Sequence, residues 1–332
     1  MRSILVLFVV FGFFDLCNPH LISVYWGQDS AGGISLTFEK ELLEYCKNFH
    51  YDIITIAFVD IFFDRNNKDN VLGINLSNHC NTSYEGYPDL LECPQIAEHI
   101  KECQKVGKKV VVSLGGASGL YGFNSADEAQ DFAKTVWNLF LGGSSTVRPF
   151  KSAVLDGVDL DIEASSPLYY TTFVQAIRLL MSNDITKKYL ITGAPQCPFP
   201  DYYLGPSKDT VLYDIGEEFD YLYVQFYNNY CCLGNENEFI AALKKWFNFS
   251  NETKTAHGKG PSIFVGLPSH PRASGGPEDY QTPEKVQAIY ETIKSNKELG
   301  GFMLWDASFD SNNLIENQYY SALLYKFILK QN

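Results

Sequence analysis

Apolar residues along this chain recur in eight blocks of seven to nine positions, each rich in Val, Ile, Leu and aromatics. They fall at residues 21–27, 51–59, 108–116, 155–163, 189–197, 221–229, 262–269 and 300–308. Blocks of that length and composition predict strands. Between them, residues 39–49, 94–106, 125–140, 168–182, 237–247 and 283–295 carry apolar side chains at helical spacing, and a last helix follows Gln318. Ser125 and the Thr282-Pro283 pair suit helix starts, and Gly107 a stop. Strand and helix alternate eight times, which implies parallel strands joined by crossover helices. Eight such units in about 310 residues match a TIM (β/α)8 barrel. A doubly wound open sheet is the rival, weakened because no glycine-rich phosphate loop follows a strand. The interval between the seventh and eighth strands holds little beyond its helix, so no extra domain is inserted there. With no linker and no repeat, residues 21–332 read as a single α/β domain.

One strand is unlike the rest. The run Leu155-Asp156-Gly157-Val158-Asp159-Leu160-Asp161-Ile162-Glu163 places acids alternately with apolar residues. Strand side chains alternate between faces, so Asp159, Asp161 and Glu163 share one face and Val158, Leu160 and Ile162 the other. Unpaired buried charge is costly, and an ordinary core strand would not stack three acids. An EF-hand loop fits poorly, because Ala164 holds its turn-glycine position and Tyr170 its final glutamate. Asp156 breaks the alternation and suits a structural role at the strand start.

Composition narrows the classes. Hydrophobic content of 45% and charged content of 20% describe a globular chain. A net charge of −13 disfavours nucleic acid and anionic membranes as partners. The first residues read as a secretory signal: Arg2 is followed by an apolar run from Ile4 to Phe14, with cleavage between about Cys17 and His20. The mature chain is then secreted, and a monomer is expected. Loss of Cys17 leaves seven of the eight cysteines. In an oxidising compartment these form disulfides with one thiol left over. No Cys-x-x-Cys pair suggests zinc, and the six histidines show no ligand spacing. Asn75, Asn81, Asn248 and Asn251 open glycosylation triplets.

In a TIM barrel the chemistry sits at the carboxyl ends of the strands. Tyr25 and Trp26, Phe58, Gly115-Gly116, Glu163, Gln225 and Tyr227, and Trp305 and Asp306 all lie there. A glutamate beside aspartates gains a raised pKa from neighbouring charge and partial burial, as a glycosidase acid requires. Asp161 and Glu163 are two residues apart on one strand, with Cα atoms about 7 Å apart. They cannot easily flank a scissile bond from opposite sides. One acid acting directly, supported by the others, fits better.

The run Asp156–Glu163 resembles the DGxDxDxE signature of family 18 glycoside hydrolases. The runs Val24–Gln28, Ile56–Phe58, Ser113–Gly116, Ala194–Pro200, Val224–Asn229, Val265–Pro268 and Met303–Trp305 resemble the plant class III chitinases of that family, over essentially the whole mature chain.

That resemblance implies substrate-assisted, retaining hydrolysis of β-1,4-linked N-acetylglucosamine in chitin, with no cofactor and no metal. Lysozyme-like cleavage of peptidoglycan could accompany it. Glu163 would protonate the glycosidic oxygen. Asp161 would orient the acetamido group, and Asp159 would share a proton with Asp161. Tyr227 would hydrogen-bond the acetamido oxygen, Gln225 would help hold that sugar, and Trp305 would floor it. Tyr25, Phe58, Gly116 and Asn75 would complete the binding site. Asn75 aligns with a substrate-contacting asparagine yet opens an acceptor triplet, and a glycan there would prevent that contact. Ala117 stands where the plant proteins carry a third glycine. The resemblance also implies disulfides Cys46–Cys103, Cys80–Cys93 and Cys197–Cys232, with Cys231 spare. A non-catalytic chitin-binding lectin or glycosidase inhibitor on the same fold is the competing function. Members of those groups commonly lack the acid glutamate, which Glu163 supplies here.

Overall fold

Each of the eight apolar runs forms a strand, trimmed at one or both ends, and the eighth begins one residue early at Leu299. In the computed structural model, which describes residues 20–67 and 69–329, the strands are β1 (Leu21–Trp26), β2 (Ile53–Val59), β3 (Lys109–Gly116), β4 (Gly157–Ile162), β5 (Leu190–Gly193), β6 (Tyr221–Gln225), β7 (Ser262–Pro268) and β8 (Leu299–Trp305). Each pairs in parallel with its sequence neighbours, and β8 closes on β1 through the Leu21–Gly301 and Val24–Leu304 registers. Closure rules out the open sheet. β5 is the shortest of them: Pro195, which has no N–H to donate to a ladder, ends its regular pairing, and Gln196 keeps only a single bridge to Gln225. The signal-peptide reading falls on residues 1–19, outside the described residues.

The connecting helices are α1 (Leu42–Asn48), α2 (Pro94–Lys105), α3 (Ala126–Phe140), α4 (Tyr170–Asn183), α5 (Val211–Ile215), α6 (Glu236–His257), α7 (Pro283–Ile293), α8 (Ala307–Ser311) and α9 (Tyr320–Leu329). The expected caps form. Ser125 Oγ accepts the Glu128 N–H at 3.2 Å, and Thr282 caps α7 with Pro283 in its first turn. Gly107, just past α2, takes φ +85°, a left-handed conformation that favours glycine. Two expectations change. α5 falls in the β5–β6 connection, where its five residues are too few to show a helical period. α6 runs ten residues beyond the expected Phe247, because its last turns are polar and exposed and lack the apolar stripe that marks a packed helix.

The core has two layers. Val158, Leu160 and Ile162 point outward from β4 and join one large apolar cluster with the α3 and α4 residues Phe140 and Phe173. Burial of each such side chain contributes about 1.5–3 kcal/mol. A second cluster fills the barrel interior with Tyr25, Phe58, Ala194, Tyr223, Tyr227, Phe264 and Met303. The short β7–β8 connection holds α7 and loops, with no inserted domain.

Cys46–Cys103 ties α1 to α2, and Cys80–Cys93 staples the long β2–α2 connection, as expected. The third pairing is corrected. Cys197 bonds Cys231, with Cα atoms 6.0 Å apart, and Cys232 is the free thiol among the described residues, buried. Adjacent side chains project in different directions here. Cys231 faces Cys197, whereas Cys232 turns to a surface recess beside Gly275 and Gly276.

Candidate active site

The acids of β4 have distinct environments. Asp156, just before the strand, is a structural anchor at the far end of the barrel. Its carboxylate accepts the Val110 N–H at 3.0 Å and the Gln104 side-chain N–H at 2.8 Å. Lys109 and Lys187 pair with it at 3.3 and 3.2 Å.

Asp159 is wholly buried inside the barrel. Its Oδ2 accepts hydroxyl protons from Tyr25 at 2.8 Å and Ser113 at 2.7 Å, and its Oδ1 accepts that of Thr192 at 2.6 Å. Burial raises its pKa, and these three donors pull it back.

Asp161 lies one pleat higher. Its Oδ1 accepts the Gln225 Nε2–H at 3.0 Å. Burial first, then the charges of Glu163 and Asp159, push its pKa well above the usual carboxylate range, and it hydrogen-bonds the Glu163 side chain. Asp161 therefore holds its proton more tightly than an ordinary carboxyl group. Asp159, its oxygens taken by the three hydroxyls, acts on Asp161 through its charge.

Glu163 follows the last strand residue and is half-buried at the barrel mouth. Its Oε1 lies 3.3 Å from Gln225 Nε2. Its backbone N–H donates to the Tyr121 hydroxyl at 3.2 Å, and that hydroxyl donates to the Gly116 carbonyl. Tyr121 thus ties the ends of β3 and β4 together. Burial pushes its pKa up to about 12, which keeps the phenol protonated as the donor this tie needs. The two glycines at the end of β3 are sterically required. At Gly115, φ +113°, a Cβ would stand 2.3 Å from the Asp161 carbonyl oxygen, and at Gly116 it would press on the Phe58 ring.

Tyr227 is 5% exposed, and its pKa is raised well above normal by burial and then by Asp161 and Glu163, so the phenol is a donor. Trp305 lies half-buried across from it, its ring centroid 5.7 Å from that of Tyr25 and 6.1 Å from that of Phe58.

These side chains border one cleft of about 240 Å³. Glu163, Asp161, Tyr227, Gln225, Trp305, Tyr25, Phe58, Gly116 and Asn75 all line it, and Asp159 lies beneath. Ala117, at the missing third glycine, is also in the wall. Sequence reasoning assigned no role to Gln28, Asp60, Ser118 and Asn228, which line the same cleft, or to Tyr121. Gln28 belongs to one of the resembling runs, but its contact is to main chain: its Nε2 donates to the carbonyls of Ala57 at 2.8 Å and Asn75 at 3.1 Å. Among the described residues no cluster of His, Cys, Asp and Glu is arranged to hold a metal ion.

The arrangement suits protonation of a leaving group beside apolar ring faces. Chitinase 2 of Rhizopus oligosporus is 40% identical over 294 residues, covering 88% of this chain and 50% of the relative. The chain spans about half the length of the curated relatives it matches first. A solved chitinase from Ipomoea carnea superposes with a TM-score of 0.74 at 32% identity, covering 92% of this chain and 99% of that one. A xylanase and α-amylase inhibitor protein from Scadoxus multiflorus superposes with a TM-score of 0.72 at 28% identity, covering 92% and 98%. Residues 21–279 match the family described as glycosyl hydrolases family 18, and with the closed barrel and its acidic fourth strand in place, the chain belongs to that family.

Proposed function

We propose that this chain is a secreted endochitinase that hydrolyses β-1,4 N-acetylglucosamine linkages with retention of configuration. The observation that carries the reading is the convergence of Glu163, Asp161, the Tyr227 phenol and Trp305 on one cleft at the barrel mouth. A second carboxylate opposite Glu163 is not needed if the substrate supplies the nucleophile.

In the proposed reaction, Trp305, Phe58 and Tyr25 support a sugar ring. Glu163 gives its proton to the glycosidic oxygen as the bond to the anomeric carbon breaks. The substrate's acetamido oxygen bonds to that carbon from the other face and gives an oxazolinium ion. Asp161, left as a carboxylate, accepts the acetamido N–H and stabilises the positive charge. Gln225 holds Asp161 in position, and Tyr227 donates to the acetamido oxygen. Glu163, now a base, takes a proton from the water that opens the ring. Two displacements at one carbon restore its configuration, so the first product is the β anomer. The short β7–β8 connection builds no wall over the cleft and favours internal cleavage. A lysozyme-like side activity follows if the cleft accepts alternating sugars.

NMR of early products from N-acetylglucosamine oligomers tests the mechanism, since initial α anomer would sink it. The second reading, a non-catalytic inhibitor or lectin, draws on the inhibitor protein that shares this fold. It predicts oligomer binding with no turnover. The placement of Glu163 in the cleft, with Asp161 and Gln225 beside it, favours the hydrolase.

A further inference from the structure

Asn75 sits at an unusual place for a glycosylation acceptor. It opens the triplet Asn75-Leu76-Ser77 and is exposed, so its amide nitrogen is reachable. Yet it also lines the cleft that holds Glu163 and Trp305.

Its orientation is set on both sides. The Asn75 N–H donates to the Phe58 carbonyl at 2.9 Å, and its own carbonyl accepts from the Phe58 N–H at 3.0 Å and from Gln28 Nε2 at 3.1 Å. The main chain is thereby bound to the end of β2. In the side chain, Oδ1 accepts the Ser77 N–H at 2.9 Å. That bond fixes the plane of the amide, and Asn75 lies near enough to Asp60 to lower the carboxyl pKa that burial raises. Asp60 is itself a cleft-lining residue. The side chain that an N-linked glycan would extend therefore borders the cleft, on a main chain hydrogen-bonded to the end of β2.

The chemistry of the modification sharpens the consequence. An N-linked glycan begins with two β-1,4-linked N-acetylglucosamine units, the same repeat that the proposed substrate carries. Bound at Nδ2, the first of these sugars starts at the wall of the cleft.

We propose that Asn75 is an N-glycosylation site whose glycan occludes the cleft, so that occupancy at this one residue divides the protein into open and closed forms. The inference rests on the hydrolase reading for its effect on turnover, but not for the modification itself or for the loss of ligand binding. The three disulfides among the described residues suit the oxidising compartment in which such glycans are added. Asn248 and Asn251, on the exposed end of α6, offer acceptors away from the cleft.

The test expresses the full chain in a glycosylating eukaryotic secretory host and in bacteria. Ser77→Ala removes the triplet, keeps Asn75, and keeps the backbone N–H that Oδ1 accepts. Asn248→Gln removes a remote acceptor as control. Glycopeptide mapping is expected to find a glycan on Asn75 in the secreted wild type. The fraction carrying it, separated from the rest, neither binds nor cleaves N,N′,N″-triacetylchitotriose. Ser77→Ala from the secretory host exceeds the mixed wild type in active sites by the inverse of the unoccupied fraction, whereas the bacterial forms match each other. An unmodified Asn75 in the secreted wild type overturns the proposal, and so does an occupied fraction that binds the trimer like Ser77→Ala. If no form turns over substrate but the mapping and binding results hold, the hydrolase reading fails and the occlusion stands.

Discussion

Gln225 Nε2 donates to Asp161 Oδ1 at 3.0 Å, joining the end of β6 to the acid row of β4 across 64 residues of chain. The same nitrogen lies 3.0 Å from the Ala194 carbonyl and 3.3 Å from Glu163 Oε1. One buried amide thus serves both members of the carboxyl pair and is itself held by β5. Gln225→Leu preserves much of the volume and removes the donor. A hydrogen bond to a charged group is worth about 1.5–3 kcal/mol, so kcat should fall roughly tenfold to a hundredfold with thermal stability little changed. An unaltered kcat would show that Asp161 is positioned without Gln225.

Asp159 acts on the pair through charge. Its carboxylate is among the groups that raise the pKa of Asp161. Asp159→Asn removes that negative charge, so Asp161 releases its proton at lower pH. The limb of kcat/KM that Asp161 governs should move to lower pH, toward the ordinary carboxylate range. A pH–rate profile checks this, and a limb that stays in place or moves upward contradicts the electrostatic coupling.

Asp306 provides a stability prediction apart from catalysis. It follows Trp305, caps α8 by accepting the Phe309 N–H at 2.9 Å, and accepts the Ser30 hydroxyl at 2.5 Å. Burial, then the charge of Glu39, raises its pKa from 3.8 to about 8. The folded state therefore retains a proton that the unfolded chain releases, and this group's contribution to stability is lost as pH rises from 3.8 to about 8. The slope is at most about 1.4 kcal/mol per pH unit. Asp306→Asn keeps the capping oxygen and removes the charge. Its Tm relative to wild type should rise across that window and level off above it, and a constant difference would contradict the assignment.

The disulfide correction is also testable. Cys231→Ala opens the Cys197 bridge, which closes a sequence separation of 34, and should cost about 2–4 kcal/mol. Cys232→Ala loses only packing and should cost less. Peptide mapping without reduction should recover Cys197 linked to Cys231. A larger loss from Cys232→Ala would restore the other pairing.

Legibility followed the range of the interactions. The acid row was readable because a strand's two-residue period is written directly in Asp159, Asp161 and Glu163, and the barrel because eight apolar blocks recur. Single-strand periodicity cannot show that Thr192 and Tyr25 satisfy Asp159, or that Tyr121 ties Glu163 to Gly116. Those partners meet only when the barrel closes. Composition was mute on Cys231 against Cys232, identical neighbours separated by the direction of their side chains. α5 was too short to have a period, and the polar end of α6 had no buried face to mark it.

Turnover of N-acetylglucosamine oligomers by the wild type and Glu163→Gln, with binding measured on both, tests the central claim most directly. The amide has the shape of the acid but no proton of suitable pKa to give. The expected result is hydrolysis by the wild type, and in Glu163→Gln a kcat lower by at least roughly 10²–10⁴, the usual worth of a general acid, with binding retained. Binding without turnover in the wild type, or full activity in Glu163→Gln, would contradict the assignment of Glu163 as the proton donor.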